Sequence, residues 1–358
     1  MKKNKNIDNV EKVLIDEEFL DVADAILTTI DTYRAYKVKP VKITAYKNLK
    51  MKELVQLFED ENFYKLSKKQ ICEICTELVS RLSRKISSVP SIVKPSNEID
   101  SKYLMFTESK TNKIKVNFDE FTKRSNSSHP FSKPENMGIH FLFTIMHELY
   151  HTLQNYNFYK FLEGMPYEKD TICSTFQDVL SGTYLMEFEN DEDTMTLYDA
   201  DLDELNANIF ASKMMDKFIE NEYFKNTKEV EKVYKYINAL VCDSYSKESI
   251  NFSKKCYLRN RKVLSRIQEL EDKDLVSEDE STESITLLTE EEIMVLKSVY
   301  KFVSGLDMRR YQAKMQDEVI KYEQQFNAYA LGKTSKELGF VDEEVEITND
   351  ENTNENEM

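Results

Sequence analysis

The sequence lacks any run of about 20 consecutive apolar residues, the length that a membrane-spanning helix requires. Its basic first residues, 1–6, are followed by a polar, acidic stretch where a secretory signal would have an apolar core. Positive charge is not in excess either, because the net charge at pH 7 is −16. A negative balance of this size argues against a general affinity for nucleic acid or anionic membranes. We therefore expect a soluble, cytoplasmic protein that binds neither of them directly.

Cysteine, glycine and tryptophan are also scarce. Five cysteines in 358 residues make an odd number and give no sign of a disulfide framework. Cys72 and Cys75 form one C-x-x-C pair, without the second pair that would complete a zinc-binding motif. We interpret both as small buried residues of a helix. The chain has only six glycines and no tryptophan but much lysine, asparagine and glutamate, a bias that points to an AT-rich bacterial or phage genome.

Histidine is rare as well, yet two of the four histidines stand at a spacing that suits a metal ion. Residues 147–151 read H-E-L-Y-H, an H-E-x-x-H pattern, within a segment that is largely apolar from residue 139. On a helix, residues four apart share one face, so His147 and His151 can reach the same ion. Glu148 can then hold its carboxylate beside a water molecule at that ion. The pattern predicts a catalytic zinc site; the alternative is a core helix that carries two histidines by chance.

A catalytic zinc ion usually has three protein ligands, so a third residue must join the two histidines. His140 shares their helical face but lies ~10 Å away along the axis, and His129 lies on an upstream loop. A carboxylate is therefore the natural third ligand. Glu204 begins the segment E-L-N-A-N-I-F-A, in which the small Ala207 would let two helices approach closely. One turn after Glu204, Asn208 can hydrogen-bond the outer nitrogen of a ligating histidine.

We predict that Glu204 is the third metal ligand and that Asn208 supports one of the histidines. An exposed glutamate on an ordinary amphipathic helix is the alternative interpretation. Other carboxylates close in sequence can also point at the ion from a loop, namely Glu192, Asp199, Asp201 and Asp203. The residue that stabilises an oxyanion opposite the ion is left open among Tyr150, Tyr156 and His140.

Together, these two motifs resemble those of the ImmA/IrrE family of zinc metallopeptidases, which are gluzincins. In that family a hairpin precedes the metal helix, and its second strand is similar to K-I-K-V-N at residues 113–117. The resemblance covers residues 65–219. The chain departs from the family pattern at Tyr150, where a glycine is usual, and in a long insertion between His151 and Glu204.

The resemblance implies a zincin-like fold and a cytoplasmic protease with a Zn²⁺ cofactor. It implies that His147, His151 and Glu204 bind the metal and that Glu148 is the general base. The substrate would be a protein or peptide, for example a transcriptional regulator of a phage or mobile element.

Hydrophobic periodicity and turn residues predict mainly helices, with a few short strands. Helices are expected at residues 8–36, 51–59, 67–86, 204–224, 228–245, 252–270, 289–302 and 306–331. Strands are expected at 103–107 and 113–118, which form a hairpin, in a second hairpin at 183–198, and at the edge strand 41–45. Loops are expected around Pro90 and Pro95, at 122–136 and after Tyr156, and a capping box at 132–135 would start the metal helix.

We therefore predict an α+β fold: a zincin-like core with a small antiparallel sheet and the H-E-x-x-H helix, followed by an α-helical C-terminal region. The expected organisation is an N-terminal helical segment at 1–50, a metallopeptidase domain at 51–225, a helical region at 226–340 and an acidic, disordered tail at 341–358.

The expected activity is zinc-dependent hydrolysis of peptide bonds in a protein. An extended peptide would lie along the exposed edge of the hairpin, unless the sheet only covers the metal helix. Two alternatives remain: a binding or regulatory protein with a structural or vestigial zinc site, and a zinc hydrolase of non-peptide amides.

Overall fold

The computed structural model describes residues 17–59, 63, 65–96, 103–125, 137–181, 201–234, 247–269 and 288–330. Over this part of the chain the protein is mostly helical with one three-stranded sheet, which agrees with the predicted α+β class. The helices are α1 (Glu17–Arg34), α2 (Met51–Gln56), α3 (Lys68–Lys85), α4 (Phe118–Ser125), α5 (Met137–Leu162), α6 (Lys169–Ser181), α7 (Leu202–Glu220), α8 (Lys247–Ser265), α9 (Glu290–Ser304) and α10 (Met308–Ala330). The strands are β1 (Ile92–Pro95), β2 (Met105–Thr107) and β3 (Lys113–Val116). No described helix is long and apolar enough to cross a membrane.

The sheet has the order β1-β3-β2 and is mixed. β2 and β3 form the predicted antiparallel hairpin, with Met105 opposite Val116. The prediction of a purely antiparallel sheet is wrong, because β1 pairs with β3 in parallel, with Ile92 opposite Lys113. This strand lies in a segment that its prolines had marked as a loop; Pro95 is tolerated at the end of an edge strand, where it interrupts no central ladder.

One face of the sheet is buried and carries the metal helix beneath it. Along β3, Ile114 and Val116 are fully buried, whereas Lys113 and Lys115 point outwards and both pair with Glu108. This alternation has the period of two that a half-buried strand requires. The sheet is therefore a cover over α5 and α3, and β2 is the strand that packs on α5.

Helix α5 is the longest of the described elements, with 26 residues, and carries the H-E-x-x-H motif. At its start, α5 passes so close to the end of the α2 segment that a Cβ on Gly138 would lie 2.0 Å from the carbonyl oxygen of Phe58. Only glycine fits at this contact, because any side chain would collide with backbone.

Two hydrophobic clusters form the core, and α5 and α7 contribute to both. The first contains the sheet, α2, α3, the first half of α5 and the second half of α7; Ile114, Leu142 and Phe218 are among its buried members. The second contains α1, the end of α5, α6, the first half of α7 and α8 to α10. Helix α1 thus packs with the C-terminal helices, while the division into domains at residues 50, 225 and 340 stays a prediction.

Every predicted helix has a counterpart among the described residues, which for the helix predicted at 228–245 is a helical stretch at 227–234. Side chains cap two of the helices. The Ser67 hydroxyl accepts a hydrogen bond from the Gln70 N–H at the start of α3, and Thr289 with Glu292 forms the capping box of α9. The second predicted hairpin, the capping box at 132–135 and the acidic tail lie outside the described residues.

Three local predictions are wrong. Residues 41–45 form coil and turn instead of a strand, and α3 holds the following residues because Arg81 donates to the carbonyl oxygens of Lys47 and Leu49. The predicted strand that ends at Phe118 stops at Val116, and the expected loop begins as helix α4. The stretch after Tyr156 is also helical, since α5 continues to its end at Leu162 and α6 follows.

Replacing Gly138 with alanine should lower the free energy of unfolding by about 1–3 kcal/mol, because the added methyl group collides with backbone. Gly305→Ala is a matched control: its Cβ would lie 3.4 Å from the nearest atom, a carbonyl oxygen, and its φ of −82° suits alanine. The control should change stability by no more than about 0.5 kcal/mol. Chemical denaturation measures both, and equal losses would contradict the close contact at Gly138.

Candidate metal centre

The structure brings His147, His151 and Glu204 together between α5 and α7. The two histidine Nε2 atoms are 2.9 Å apart. Glu204 Oε2 lies 3.2 Å from His147 Nε2, and Glu204 Oε1 lies 3.4 Å from His151 Nε2. All three ligand atoms lie within 4.8 Å of one another, and in the described part of the chain this is the one group of its kind. These three residues can hold a metal ion.

Glu204 reaches the histidines because the first turn of α7 is fixed in place. The Asp178 carboxylate on α6 accepts hydrogen bonds from the backbone N–H groups of Leu202 and Asp203, at 3.0 and 2.8 Å. Asp201 caps the same turn by accepting from the N–H groups of Asp203 and Glu204. These bonds satisfy the free donors at the start of the helix, and they hold Glu204 on a rigid element.

Hydrogen bonds on the outer sides of the two rings define which nitrogen atoms face the group. His147 Nδ1 lies 2.8 Å from Asn208 Oδ1, and His151 Nδ1 lies 2.7 Å from Gln154 Oε1. An amide oxygen only accepts, so each Nδ1 carries a hydrogen, and each ring can present its Nε2 lone pair to an ion in the group. This is the arrangement in which both imidazoles can bind one ion through Nε2.

The electrostatics of this group of three residues favour a positive charge among the ligand atoms. Two nitrogen lone pairs and a carboxylate that converge at these distances repel one another unless a cation or proton lies among them. Burial alone would lower the pKa of His151, but the charge of Glu204 and a hydrogen bond to it raise that pKa to about 10. Burial likewise opposes ionisation of Glu204, yet the two histidines hold its pKa well below its usual range. A divalent cation satisfies all three ligand atoms at once.

Glu148 directly follows His147 on α5, and its side chain is attached to the sheet. Its side chain is 5% exposed, and the Thr107 hydroxyl is 2.8 Å from Glu148 Oε2 and 3.0 Å from the Glu148 carbonyl oxygen. Thr107 is the last residue of β2, so the edge strand of the sheet is in direct contact with the predicted general base.

The residues left open for an oxyanion contact have other neighbours. Tyr150 packs against the Phe210 ring of α7, with ring centroids 5.1 Å apart. Tyr156 stacks on Tyr159, and His140 meets Phe121 edge to face. A different phenol lies near the site, since burial and the charge of Glu204 raise the pKa of Tyr103. Tyr103 shortly precedes β2 and is 42% exposed.

The competing carboxylates have separate roles where they are described. Asp201 caps α7, and Asp203 accepts hydrogen bonds from Ser174, Thr175 and Gln154. Glu192, Asp199 and His129 lie outside the described residues.

Sequence reasoning missed Thr107, Gln154 and the polar residues of α6. Gln154 follows His151 by three positions, a spacing that places both on one helical face and so gives a usable signal. No sequence pattern pointed to Thr107 or Asp178, because their contacts join residues that are distant in the chain.

Comparisons of the chain with protein-family models, with curated proteins and with solved structures found no match. The resemblance to the ImmA/IrrE metallopeptidases therefore depends on the two motifs, and membership of that family stays a prediction.

Glu204→Ala should weaken zinc binding more strongly than the ~10–100-fold loss expected when Asn208→Ala removes the support of His147. Asp201→Ala is the comparison for a competing carboxylate: it removes the cap that accepts from the Glu204 N–H, worth ~1 kcal/mol of stability, but no proposed ligand, so it should weaken zinc binding much less than Glu204→Ala. Titration of the three variants against a zinc chelator measures the affinities. Wild-type affinity in Glu204→Ala would place the third ligand elsewhere.

Proposed function

We propose that the protein is a zinc-dependent peptidase of the gluzincin type. In this proposal His147, His151 and Glu204 hold Zn²⁺, Glu148 is the general base, and a peptide is bound along β2. The observation that carries the proposal is the contact between Glu148, which directly follows the metal-group residue His147 on α5, and Thr107 on the edge strand of the sheet.

The donor set and its dimensions fit zinc. Two imidazole nitrogens with one carboxylate oxygen are a ligand set of zinc peptidases, whereas Ca²⁺ and Mg²⁺ prefer oxygen alone. Ligand atoms ~2.1 Å from a tetrahedral ion are about 3.4 Å apart. The three separations, 2.9, 3.2 and 3.4 Å, lie at or somewhat below this value.

The number of ligands supports a catalytic site over a structural one. Structural zinc sites are closed by four protein ligands, while catalytic sites have three and keep one position open. The described residues supply three. This favours the peptidase over the alternative of a binding protein with a structural zinc ion.

The proposed chemistry divides between the ion and the protein. Zinc, when bound, polarises the carbonyl group of the substrate and makes water more acidic. The Glu148 carboxylate takes the proton of the attacking water and passes it to the leaving amine. The Thr107 hydroxyl holds one oxygen of this carboxylate, so that the other is directed for proton transfer.

The sheet supports a peptide substrate over a small amide. Among the described strands, β2 pairs only with β3, so its other side is an open edge. An extended peptide can add to such an edge by main-chain hydrogen bonds. Because Thr107 on this edge contacts Glu148, a peptide bound there would lie next to the base. The proposed substrate is therefore a segment of a protein in extended conformation; a regulator of a phage or mobile element is the candidate that the family resemblance suggests.

Glu148→Gln should keep the fold and zinc affinity but lower the rate of peptide hydrolysis by about 10²–10⁴-fold, because an amide cannot accept the proton. A library of fluorescence-quenched peptides, incubated with the zinc-loaded wild type and variant, provides the measurement. Glu53→Gln, at an exposed position on α2, is the matched control. The proposal fails if the zinc-loaded wild type cleaves no peptide, or if the Glu148→Gln variant cleaves as fast as the wild type.

Thr107→Val should lower kcat by about 10–100-fold, the effect of losing a hydrogen bond of ~1.5–3 kcal/mol to a charged group. Zinc affinity should be unchanged, because Thr107 touches no ligand. Thr111→Val is the control, since its hydroxyl bonds instead to Glu108 in the hairpin turn. Steady-state kinetics on a cleaved library peptide separate kcat from KM. An unchanged kcat in Thr107→Val would show that this hydroxyl does not orient the base.

A further inference from the structure

A line of buried hydrogen bonds leads from His151 into the helical part of the protein. His151 Nδ1 lies 2.7 Å from Gln154 Oε1. The Gln154 amide group in turn donates to Asp203 at two points, the backbone oxygen and Oδ1, both at 3.0 Å. Gln154 is 3% exposed, so water does not compete freely for these bonds.

Two hydroxyl groups of α6 fix the far end of this line. Ser174 Oγ donates to Asp203 Oδ1 at 2.5 Å, and Thr175 Oγ1 donates to Asp203 Oδ2 at 2.9 Å. Both carboxylate oxygens are thereby engaged, and the plane of the carboxylate is set.

The direction of the Gln154 amide decides the state of His151. The backbone oxygen of Asp203 can only accept, so the NH₂ group of Gln154 must face Asp203, whatever the protonation of the Asp203 side chain. The Gln154 oxygen must then face His151 Nδ1. A reversed amide would present NH₂ to Nδ1, and this favours the tautomer with hydrogen on Nε2, which cannot bind an ion through that atom.

We propose that Gln154, Asp203, Ser174 and Thr175 are positioning residues that set the tautomer and orientation of His151 for metal binding. The inference rests on the metal site of the proposed function and gives a role to α6. Its hydroxyl groups fix one ligand of the ion through Asp203 and the amide of Gln154, without touching the ion themselves.

A second buried glutamine provides a matched control. Gln154 is on α5; this second glutamine, Gln177, is on α6 and is fully buried. Its amide donates to Ser253 Oγ at 3.2 Å and accepts from Gln312 Nε2 at 3.3 Å. Gln177→Leu and Gln154→Leu thus delete the same chemical group from equally buried, hydrogen-bonded positions, but only Gln154 contacts a histidine of the metal group.

The experiment compares wild type, Gln154→Leu, Gln177→Leu and the double variant Ser174→Ala/Thr175→Val. Competition with a chelator gives zinc affinity, the visible absorption spectrum of the Co²⁺-loaded protein reports on the geometry at the ion, and denaturation gives stability. Gln154→Leu should weaken zinc binding by ~10–100-fold and alter the Co²⁺ spectrum. Gln177→Leu should lose similar stability but keep both metal readouts.

The double variant tests the far end of the line, because it leaves Gln154 and all three proposed ligands in place. It should weaken zinc binding by about 10-fold, at the lower end of the range for such supporting residues, and it also serves if Gln154→Leu does not fold. Unchanged zinc affinity in the double variant, or equal losses in Gln154→Leu and Gln177→Leu, would overturn the inference while the metal site stands. Failure of the wild type to bind zinc would overturn the metal site, and the inference with it.

Discussion

The metal group exists because α5 and α7 pack closely along the seam that bears the ligands. Ala207 and Ala211 on α7 are fully buried, and such small side chains let two helix backbones approach closely. A larger residue at either position would push α7 away, and a carboxylate must come within ~2 Å of an ion to bind it. The sheet packs on α5, while Asp178 on α6 and the cap residue Asp201 hold the first turn of α7. These contacts fix the positions of the two helices.

This packing buries several carboxyl groups near one helix end, which is unfavourable unless they find partners. Burial and the neighbouring Asp201 raise the pKa of Asp178 well above its usual range, and the same two causes raise the pKa of Asp203 to about 7. The backbone N–H groups at the start of α7 and the α6 hydroxyls donate hydrogen bonds to these carboxyl groups. The acidic cluster is therefore a means of anchoring the helix that presents Glu204.

The sequence predicted the parts of the site that depend on local spacing. His147 and His151 are four residues apart on one helix, and Glu204 opens a second helix whose alanines indicate close packing; the structure places all three together. The sequence did not predict α6. Residues 171–181 are all buried although many of them are polar, so no amphipathic pattern marks them as a helix. β1 was missed for a related reason: its pairing with β3 is a long-range contact, and its proline resembles a loop signal.

The position of the His147, His151 and Glu204 group relative to the core would link the proposed metal binding to folding. On α5, Leu149 belongs to the first hydrophobic cluster and Phe158 to the second; on α7, Leu205 belongs to the second and Met214 to the first. The ligands therefore lie at the seam between the clusters, and they meet only when both have formed. An ion that binds this assembled state and not the unfolded chain stabilises it by RT ln(1 + [L]/Kd). Zinc would then hold the two clusters together, in addition to its proposed role in catalysis.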